Sequence, residues 1–198
     1  MKLDNTQKYA AEMLATFSLT FALSLSLLFE FPFSSAVLAA IVVGIYVYTI
    51  GGISGAHINP AVTLGMWTIK LIKTRDALLY VASQFIGAGL AMMLILAMSA
   101  TVPMVGADSP MIILGEAMGA FLLTFGVASV ATGKAKEDAA GLIVGGSLLV
   151  GILIASSMSS GIINPAVAFG LGSLSLSYLI GPMIGGMLGA VTFRWMSS

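Results

Sequence analysis

The tripeptide Asn-Pro-Ala occurs twice, each time interrupting an apolar stretch, in two halves of the chain that echo each other. An Asn followed by Pro suits the start of a helix, because the Asn side chain caps the first turn and Pro lacks only an N–H that would have no partner there. The Asn amide also offers N–H donors to the oxygen of a neutral molecule. Interrupted segments at matching positions of two halves point to the site of a channel or transporter. The two copies are Asn59, Pro60, Ala61 and Asn164, Pro165, Ala166.

The composition requires a bilayer as the solvent. The chain has 198 residues, of which 59% are hydrophobic and 8% charged, whereas a soluble domain carries about 25% charged residues. The formal net charge is zero, so a nucleic-acid partner has no electrostatic support. There is no Cys and only one His, and no nucleophile–base pair or metal-ligand pattern occurs. We therefore expect an integral membrane protein that is not an enzyme and needs no metal or cofactor.

Six apolar stretches are long enough to cross a bilayer, which takes about 17–25 helical residues. Two shorter stretches, 59–69 and 164–172, would each span only about 15 Å as helices. The predicted fold class is an all-α membrane protein with six transmembrane helices plus two re-entrant half-helices. At about 22 residues the first stretch is too long for a signal-peptide core, so we read it as a retained span. The six spans are 9–30, 35–53, 77–100, 111–133, 139–157 and 176–196.

The two halves align with each other. Glu12 corresponds to Glu116 at an offset of 104, and the two tripeptides are 105 residues apart. Three spans per half mean that the second half enters the membrane from the opposite side, which makes an inverted 3+3 repeat. We predict one membrane channel domain over residues 1–198, with the first repeat at about 1–100, the second at about 111–198, and a linker at 101–110.

Basic residues predict the orientation. In the six-span arrangement all eight fall on one side of the membrane, and the loops on the other side contain none. Because cytoplasmic loops carry the excess of Lys and Arg, both termini are expected in the cytoplasm. The short termini favour the cell membrane of a prokaryote. The residues are Lys2, Lys8, Lys70, Lys73, Arg75, Lys134, Lys136 and Arg194.

Inverted half-helices would point their N-termini at each other near the membrane midplane. Each N-terminus carries about half a positive charge and unpaired N–H groups, so a cation is repelled from both sides. The stretch before each half-helix is not helical, and irregular backbone at this depth must be buried in protein or line a cavity. Its carbonyls would line a narrow pore for small neutral molecules. The wall residues are Gly55, Ala56, His57 and Ile58 in the first half and Ser160, Gly161, Ile162 and Ile163 in the second.

Three ionisable residues inside the membrane allow more than one interpretation. Glu12 and Glu116 could form a proton relay, but their duplication favours a structural brace, in which each accepts N–H bonds from its own half's re-entrant loop. His57, the only His, could fix its loop, respond to pH or do neither. A lone His cannot build a metal site.

Taken together, the sequence resembles the aquaporin (major intrinsic protein) superfamily over nearly its whole length. The resemblance rests on the six spans, the inverted repeat, Ser54-Gly-Ala-His-Ile-Asn-Pro-Ala-Val-Thr63, Gly161-Ile-Ile-Asn-Pro-Ala166 and Gly181-Pro182. It implies passive, bidirectional diffusion of water or small neutral solutes such as glycerol, urea or ammonia through each protomer. It also implies a homotetramer in the lipid bilayer.

The resemblance places a selectivity filter at Ala39, Ile152, Gly161 and Val167. Water-selective members have Phe, His, a small residue and Arg at these positions, and glycerol facilitators have Trp, Gly, an aromatic residue and Arg followed by Asp. Here Val167 and Ala168 stand in place of that Arg and Asp. The filter is therefore expected to be wider than a water filter and more apolar than either class. Without the Arg, exclusion of protons would rest on the half-helices and the Asn pair.

Two other functions compete with this prediction. An ion- or proton-coupled transporter would need an ionisable group in the pore, for which Glu12 and Glu116 are the buried candidates. A non-conducting membrane scaffold would be favoured by bulky residues at the filter, which Ala39 and Gly161 are not.

Overall fold

The apolar stretches form helices because a helix satisfies its own backbone hydrogen bonds inside a bilayer. A computed structural model describes residues 5–104 and 106–198, so Lys2 of the basic set lies outside the described residues. Within these ranges there are eight α-helices, and a short 3₁₀ turn precedes the sixth at Glu137–Ala139. The helices are α1 (Asn5–Leu28), α2 (Ser35–Ser54), α3 (Pro60–Thr68), α4 (Thr74–Ala97), α5 (Pro110–Ala131), α6 (Ala140–Ala155), α7 (Pro165–Gly170) and α8 (Leu176–Met196).

Six of these helices, all except α3 and α7, are long and apolar enough to cross a membrane. The predicted fold class is therefore confirmed, with differences at the helix ends. Helix α1 begins earlier than the predicted residue 9, because hydropathy marks the apolar part of a helix and not its polar first turn. Helix α7 ends at Gly170 and not at 172, since Gly172 has a left-handed φ of 74°. With six residues, α7 is only about 9 Å long.

Both half-helices lie between the two halves of the chain. Helix α3 packs against α8, α4 and α5, whereas α7 packs against α4, α1 and α8, and the two half-helices contact each other. Pro60 and Pro165 occupy the first turn of their helices, with Asn59 and Asn164 as the N-caps. Each half-helix is therefore held mainly by long helices and meets the other at its start.

Small residues let α8 approach α5 closely. A Cβ added at Gly185 would collide with the backbone of Ala117, and one at Gly189 with the backbone of Phe121. Glycines four residues apart lie on the same face of a helix, and small residues at that spacing bring transmembrane backbones together. Because α8 also packs against α3, the α5–α8 interface helps to hold this half-helix in place.

Gly185→Ala is therefore expected to destabilise the protein by about 1–3 kcal/mol, the usual cost of overpacking, or by more. The atoms that the new Cβ would meet belong to the backbone of Ala117 and cannot rotate away. Gly146→Ala on α6 is the matched control, since a Cβ there meets nothing within 4 Å. It should leave stability unchanged or raise it, given the higher helix propensity of Ala. Thermal unfolding of the detergent-purified proteins measures both effects, and equal midpoints for the two variants would refute the close contact.

The linker between the halves is attached to the start of α8. The backbone N–H of Ser177 donates to Asp108 Oδ1 at 2.7 Å, and the N–H of Ser109 donates to Ser177 Oγ at 3.1 Å. Ser175, the N-cap of α8, makes no capping bond with its own side chain. Asp108 therefore satisfies a free N–H of the first turn from outside the helix. This hydrogen bond favours the ionised carboxylate and lowers the pKa of Asp108 below its usual value.

Candidate functional site at the meeting of the half-helices

The two Asn side chains link the halves of the chain reciprocally. Asn59 Nδ2 donates to the carbonyl oxygen of Ile163 at 2.9 Å, and Asn164 Nδ2 donates to that of Ile58 at 3.0 Å. Their Oδ1 atoms face their own helices. Asn59 Oδ1 accepts the N–H of Ala61 at 2.8 Å, and Asn164 Oδ1 accepts two N–H groups at the start of α7. The orientation of both amides is therefore determined.

A count of donors shows what remains available on these amides. A carboxamide has one oxygen and two N–H donors. On Asn59 and Asn164 the oxygen caps a helix and one N–H crosses to the other half. Both residues line one cavity in the centre of the protein. Each therefore has one N–H left, and the two can donate to a molecule that occupies this cavity.

The backbone before each half-helix adopts a conformation that its side chains disfavour. Ile58 has a φ of 56° and Ile163 a φ of 47°, and Ala56 and Gly161 repeat the pattern at 49° and 65°. A β-branched residue in the left-handed region costs of order 1–3 kcal/mol and persists only where its surroundings enforce it. In both isoleucines the carbonyl is bound by the opposite Asn and the N–H by a buried glutamate.

Glu12 lies fully buried on α1 and accepts four hydrogen bonds. Its Oε1 accepts from Ser54 Oγ at 2.7 Å and from the N–H of His57 at 2.9 Å. Its Oε2 accepts from the N–H of Ile58 at 2.6 Å and from Gln84 Nε2 at 2.8 Å. Both oxygens are occupied by donors from the end of α2, the first re-entrant loop and α4, and Glu12 lines none of the cavities described below.

Glu116 occupies the corresponding position on α5. Its Oε1 accepts from Ser159 Oγ at 2.6 Å and from the N–H of Ile162 at 3.0 Å, and its Oε2 accepts the N–H of Ile163 at 2.5 Å. The second half has Pro182 where the first has Gln84, and no side-chain amide among the described residues donates to this carboxylate. Both glutamates thus hold their own half's loop, with one donor fewer in the second half.

Several of the polar contacts around these loops escaped the sequence prediction. Gln84 Nε2 also donates to Thr63 Oγ1 at 3.0 Å, and His57 Nδ1 lies 3.2 Å from the same oxygen. Tyr80 donates its hydroxyl to the Ser54 carbonyl at 2.7 Å. Tyr178 bonds Ser160 at the matching place in the second half. The recurrence of Tyr80 and Tyr178 at the 98-residue offset of the later repeat is a signal that could have identified this pair.

The central cavity has a volume of about 110 Å³. One water molecule needs roughly 10–15 Å³ of such volume, so the cavity can hold several. The four predicted filter positions come from four different segments and all line it. Its wall is otherwise mostly aliphatic, contributed by α1, α2, α5 and α6. Polar side chains along it are Ser35, His57, Asn59, Ser160 and Asn164, and the filter positions are Ala39, Ile152, Gly161 and Val167.

A second cavity of about 430 Å³ adjoins the first. Ala56, His57, Val127 and Val144 line both cavities, and the second extends to Glu137 at the start of the 3₁₀ turn. His57 therefore lies where the two cavities meet, with its ring 5.2 Å from that of Tyr80 between centroids.

The other predicted wall and motif residues are distributed unequally. Ala56, Ile58, Ser160 and Ile162 line the central cavity with His57, whereas Gly55 lines only the second cavity. Ile163 lines neither and is fully buried. The other motif residues lie in the first turns of the half-helices, directly after the Asn N-caps, and are Pro60, Ala61, Pro165 and Ala166. Among the described residues no group of three or more His, Cys, Asp or Glu could hold a metal ion.

The chain is similar to known membrane channels. A family model described as Major intrinsic protein matches residues 1–193. Aquaporin AqpM of Methanothermobacter thermautotrophicus is 31% identical over 176 residues, 77% of this chain and 72% of that protein. Glycerol uptake facilitator protein-like 6 of Lactiplantibacillus plantarum is 34% identical over 215 residues, 97% and 99% of the two chains. The solved aquaglyceroporin of Plasmodium falciparum has the same fold, with a TM-score of 0.68 and 18% identity over 98% of this chain and 95% of that chain.

Proposed function

The chain belongs to the major intrinsic protein family, and we propose that its cavities form a passive channel that conducts small uncharged molecules and excludes ions at the paired Asn-Pro-Ala motifs. Family membership makes it a multi-pass membrane protein and a channel for water and small solutes. The observation that best supports the finer proposal is the reciprocal pair of Asn59 and Asn164, each with an N–H left for the central cavity.

Exclusion of ions follows from what the cavity offers. Two half-helix N-termini, at Pro60 and Pro165, direct partial positive charge toward the centre. Apart from His57, the described side chains that line the central cavity carry no ionisable group. A cation entering it would lose its hydration shell without gaining a carboxylate. A neutral molecule loses less and regains hydrogen bonds from the two Asn amides.

Selectivity among neutral solutes is assigned to Ala39, Ile152, Gly161 and Val167. None of these side chains donates or accepts a hydrogen bond. In a filter without Arg, small side chains leave room for glycerol, urea and ammonia as well as water. A polar solute must then rely on backbone carbonyls at this point, which favours solutes that are weakly hydrated.

The remaining proposals concern the arrangement of the chain. Residues 1–198 form one membrane domain of two repeats, both termini face the cytoplasm, and the protein assembles as a homotetramer in a prokaryotic cell membrane. The orientation is supported by the described basic residues, which belong to α1, the α3–α4 connection, the first turn of α4, the α5–α6 connection and the end of α8. In our proposal Glu12 and Glu116 hold the re-entrant loops by hydrogen bonds and do not relay protons across the membrane.

The competing functions receive less support. A coupled transporter that used Glu12 or Glu116 would need that carboxylate exposed to the pathway, but both lie outside the two adjoining cavities and their oxygens accept bonds from the loops. A non-conducting scaffold fits poorly with two adjoining cavities.

Stopped-flow light scattering on proteoliposomes tests the proposal. We expect water and at least one of glycerol, urea and ammonia to equilibrate faster than in empty liposomes. Potassium-loaded proteoliposomes with a voltage-sensitive dye should show no more ion leakage than the empty controls, because the half-helices repel cations. Neutral fluxes equal to those of empty liposomes would refute the channel. A potassium current would refute ion exclusion alone.

A further inference from the structure

A third cavity, which we call the α3–α8 cleft, opens at the surface away from the pore. It has a volume of about 420 Å³ and lies between the end of α3 and the last turn of α8. Its walls include Thr68 and Lys70 from the first half and Val191, Arg194 and Trp195 from the second. None of these residues lines the central or the second cavity, so conduction gives no reason for the cleft.

Two cations in the cleft lack a counter-charge. Lys70 and Arg194 are exposed, and neither forms an ion pair with an acidic residue of the described chain. Lys8, by contrast, is paired with Asp76 at 3.0 Å. Two unpaired cations at the mouth of one cleft create a local positive potential that a phosphate group would neutralise.

Lys70 is also held in an unfavourable conformation. Its φ is 62°, in the left-handed region, at the position just past α3 where Gly is usual. The backbone is held there by hydrogen bonds from Lys70 N–H to the Trp67 carbonyl and from Leu71 N–H to the Met66 carbonyl, both 2.9 Å long. A glycine would relieve this strain, so its replacement by a Lys suggests that the side chain has a role.

An apolar stripe continues from the cleft along α8. Ile184, Leu188, Val191 and Trp195 are 41%, 55%, 44% and 77% exposed, and spacings of four, three and four residues place them on one helix face. On a transmembrane helix such a face contacts lipid chains. Trp prefers the level of the lipid headgroups, and Trp195 lies where the stripe meets the two cations.

We propose that the α3–α8 cleft binds an anionic phospholipid, with its phosphate between Lys70 and Arg194 and an acyl chain along the α8 stripe. Placing this lipid in the inner leaflet, whose surface is negative, rests on the proposed orientation. The bound lipid joins the outer end of α3 to α8. Because Asn59 caps the other end of α3, the same lipid helps to hold this half-helix in register.

Tryptophan quenching by brominated lipids tests the site. The chain has two Trp residues, so Trp67→Phe leaves Trp195 in the cleft as the sole reporter. The protein is reconstituted in mixtures of dibrominated phosphatidylglycerol or dibrominated phosphatidylcholine with unbrominated lipid. We expect phosphatidylglycerol to bind beside Trp195 at least about fivefold more tightly, the preference expected for one cation near a lipid surface. Equal quenching by the two lipids would refute the proposal.

Charge variants identify the residues responsible. In the Trp67→Phe background, Lys70→Gln with Arg194→Gln should bring the preference close to one. Lys134→Gln with Lys136→Gln removes two exposed basic residues of the α5–α6 connection and is the matched control, which should keep the preference. A loss of preference in the control would mean that general surface charge attracts the lipid, and would overturn the specific site.

Further measurements distinguish the lipid from other occupants of the cleft and test the role of the Lys70 side chain. Millimolar inorganic phosphate should not abolish the preference, because it has no acyl chain; if it does, the cleft is a phosphate site. Shielding of Trp195 from both lipids would indicate a second copy of the chain and refute the lipid. Lys70→Gly should raise the thermal midpoint in uncharged detergent and still weaken lipid preference, a combination that a purely structural Lys70 would not produce. The quenching measurement needs no solute flux, so its failure is distinct from that of the proposed channel.

Discussion

Glu116→Ala is expected to abolish conduction and to lower the stability of the protein by several kcal/mol. The change leaves the N–H groups of Ile162 and Ile163 without their acceptor, whereas the hydroxyl of Ser159 keeps its bond to the Ala155 carbonyl. Each buried donor without a partner costs about 1–3 kcal/mol. The loop also holds Ile163 in a left-handed conformation, so the released strain favours rearrangement. Asn59 would then lose the Ile163 carbonyl to which it donates.

Thermal unfolding and solute flux of the purified variants measure this effect. Glu116→Gln keeps the volume and one acceptor oxygen and should lie between the wild type and Glu116→Ala. Glu137→Ala removes an exposed carboxylate that lines the second cavity and should leave the midpoint unchanged. Glu12→Ala should cost at least as much as Glu116→Ala, because Glu12 accepts four bonds. If Glu116→Ala keeps the wild-type midpoint, the bracing role is wrong.

Val167→Arg is expected to reduce the flux of glycerol and urea at least about tenfold while water continues to pass. Val167 is buried on α7 and lines the central cavity. A guanidinium there fills space that solutes larger than water, such as glycerol and urea, need, whereas water can pass beside it and accept its hydrogen bonds. A tenfold change corresponds to about 1.4 kcal/mol in the barrier. The added charge should also lower any proton leak, because it repels cations from the filter.

Val167→Leu is the matched control for this experiment, since it adds bulk without charge. It should reduce glycerol flux less than the Arg variant and leave proton leak unchanged. A single elution peak by size exclusion and a thermal midpoint close to that of the wild type exclude misfolding as the cause. Unchanged glycerol flux in Val167→Arg would remove this position from the filter.

The sequence predicted most of the fold but only part of the candidate functional site. Hydropathy is a local property, so the six spans and two half-helices could be placed within a few residues. The repeat paired Glu12 with Glu116 and one tripeptide with the other. It did not reveal the contacts of Gln84 with Glu12 and Thr63. A polar residue within a span gives no sign of which helix it faces.

The sequence by itself determined that this chain lies in a membrane, that its halves are inverted copies, and that each copy begins a half-helix with Asn and Pro. These properties depend on residues close together in the chain. Only the tertiary structure decided that Asn59 donates to Ile163 and Asn164 to Ile58, across 104 and 106 residues. It also decided that Ala39, Ile152, Gly161 and Val167 line one cavity. Such contacts depend on the packing of long helices around two short ones, which fixes each amide only after both halves have come together.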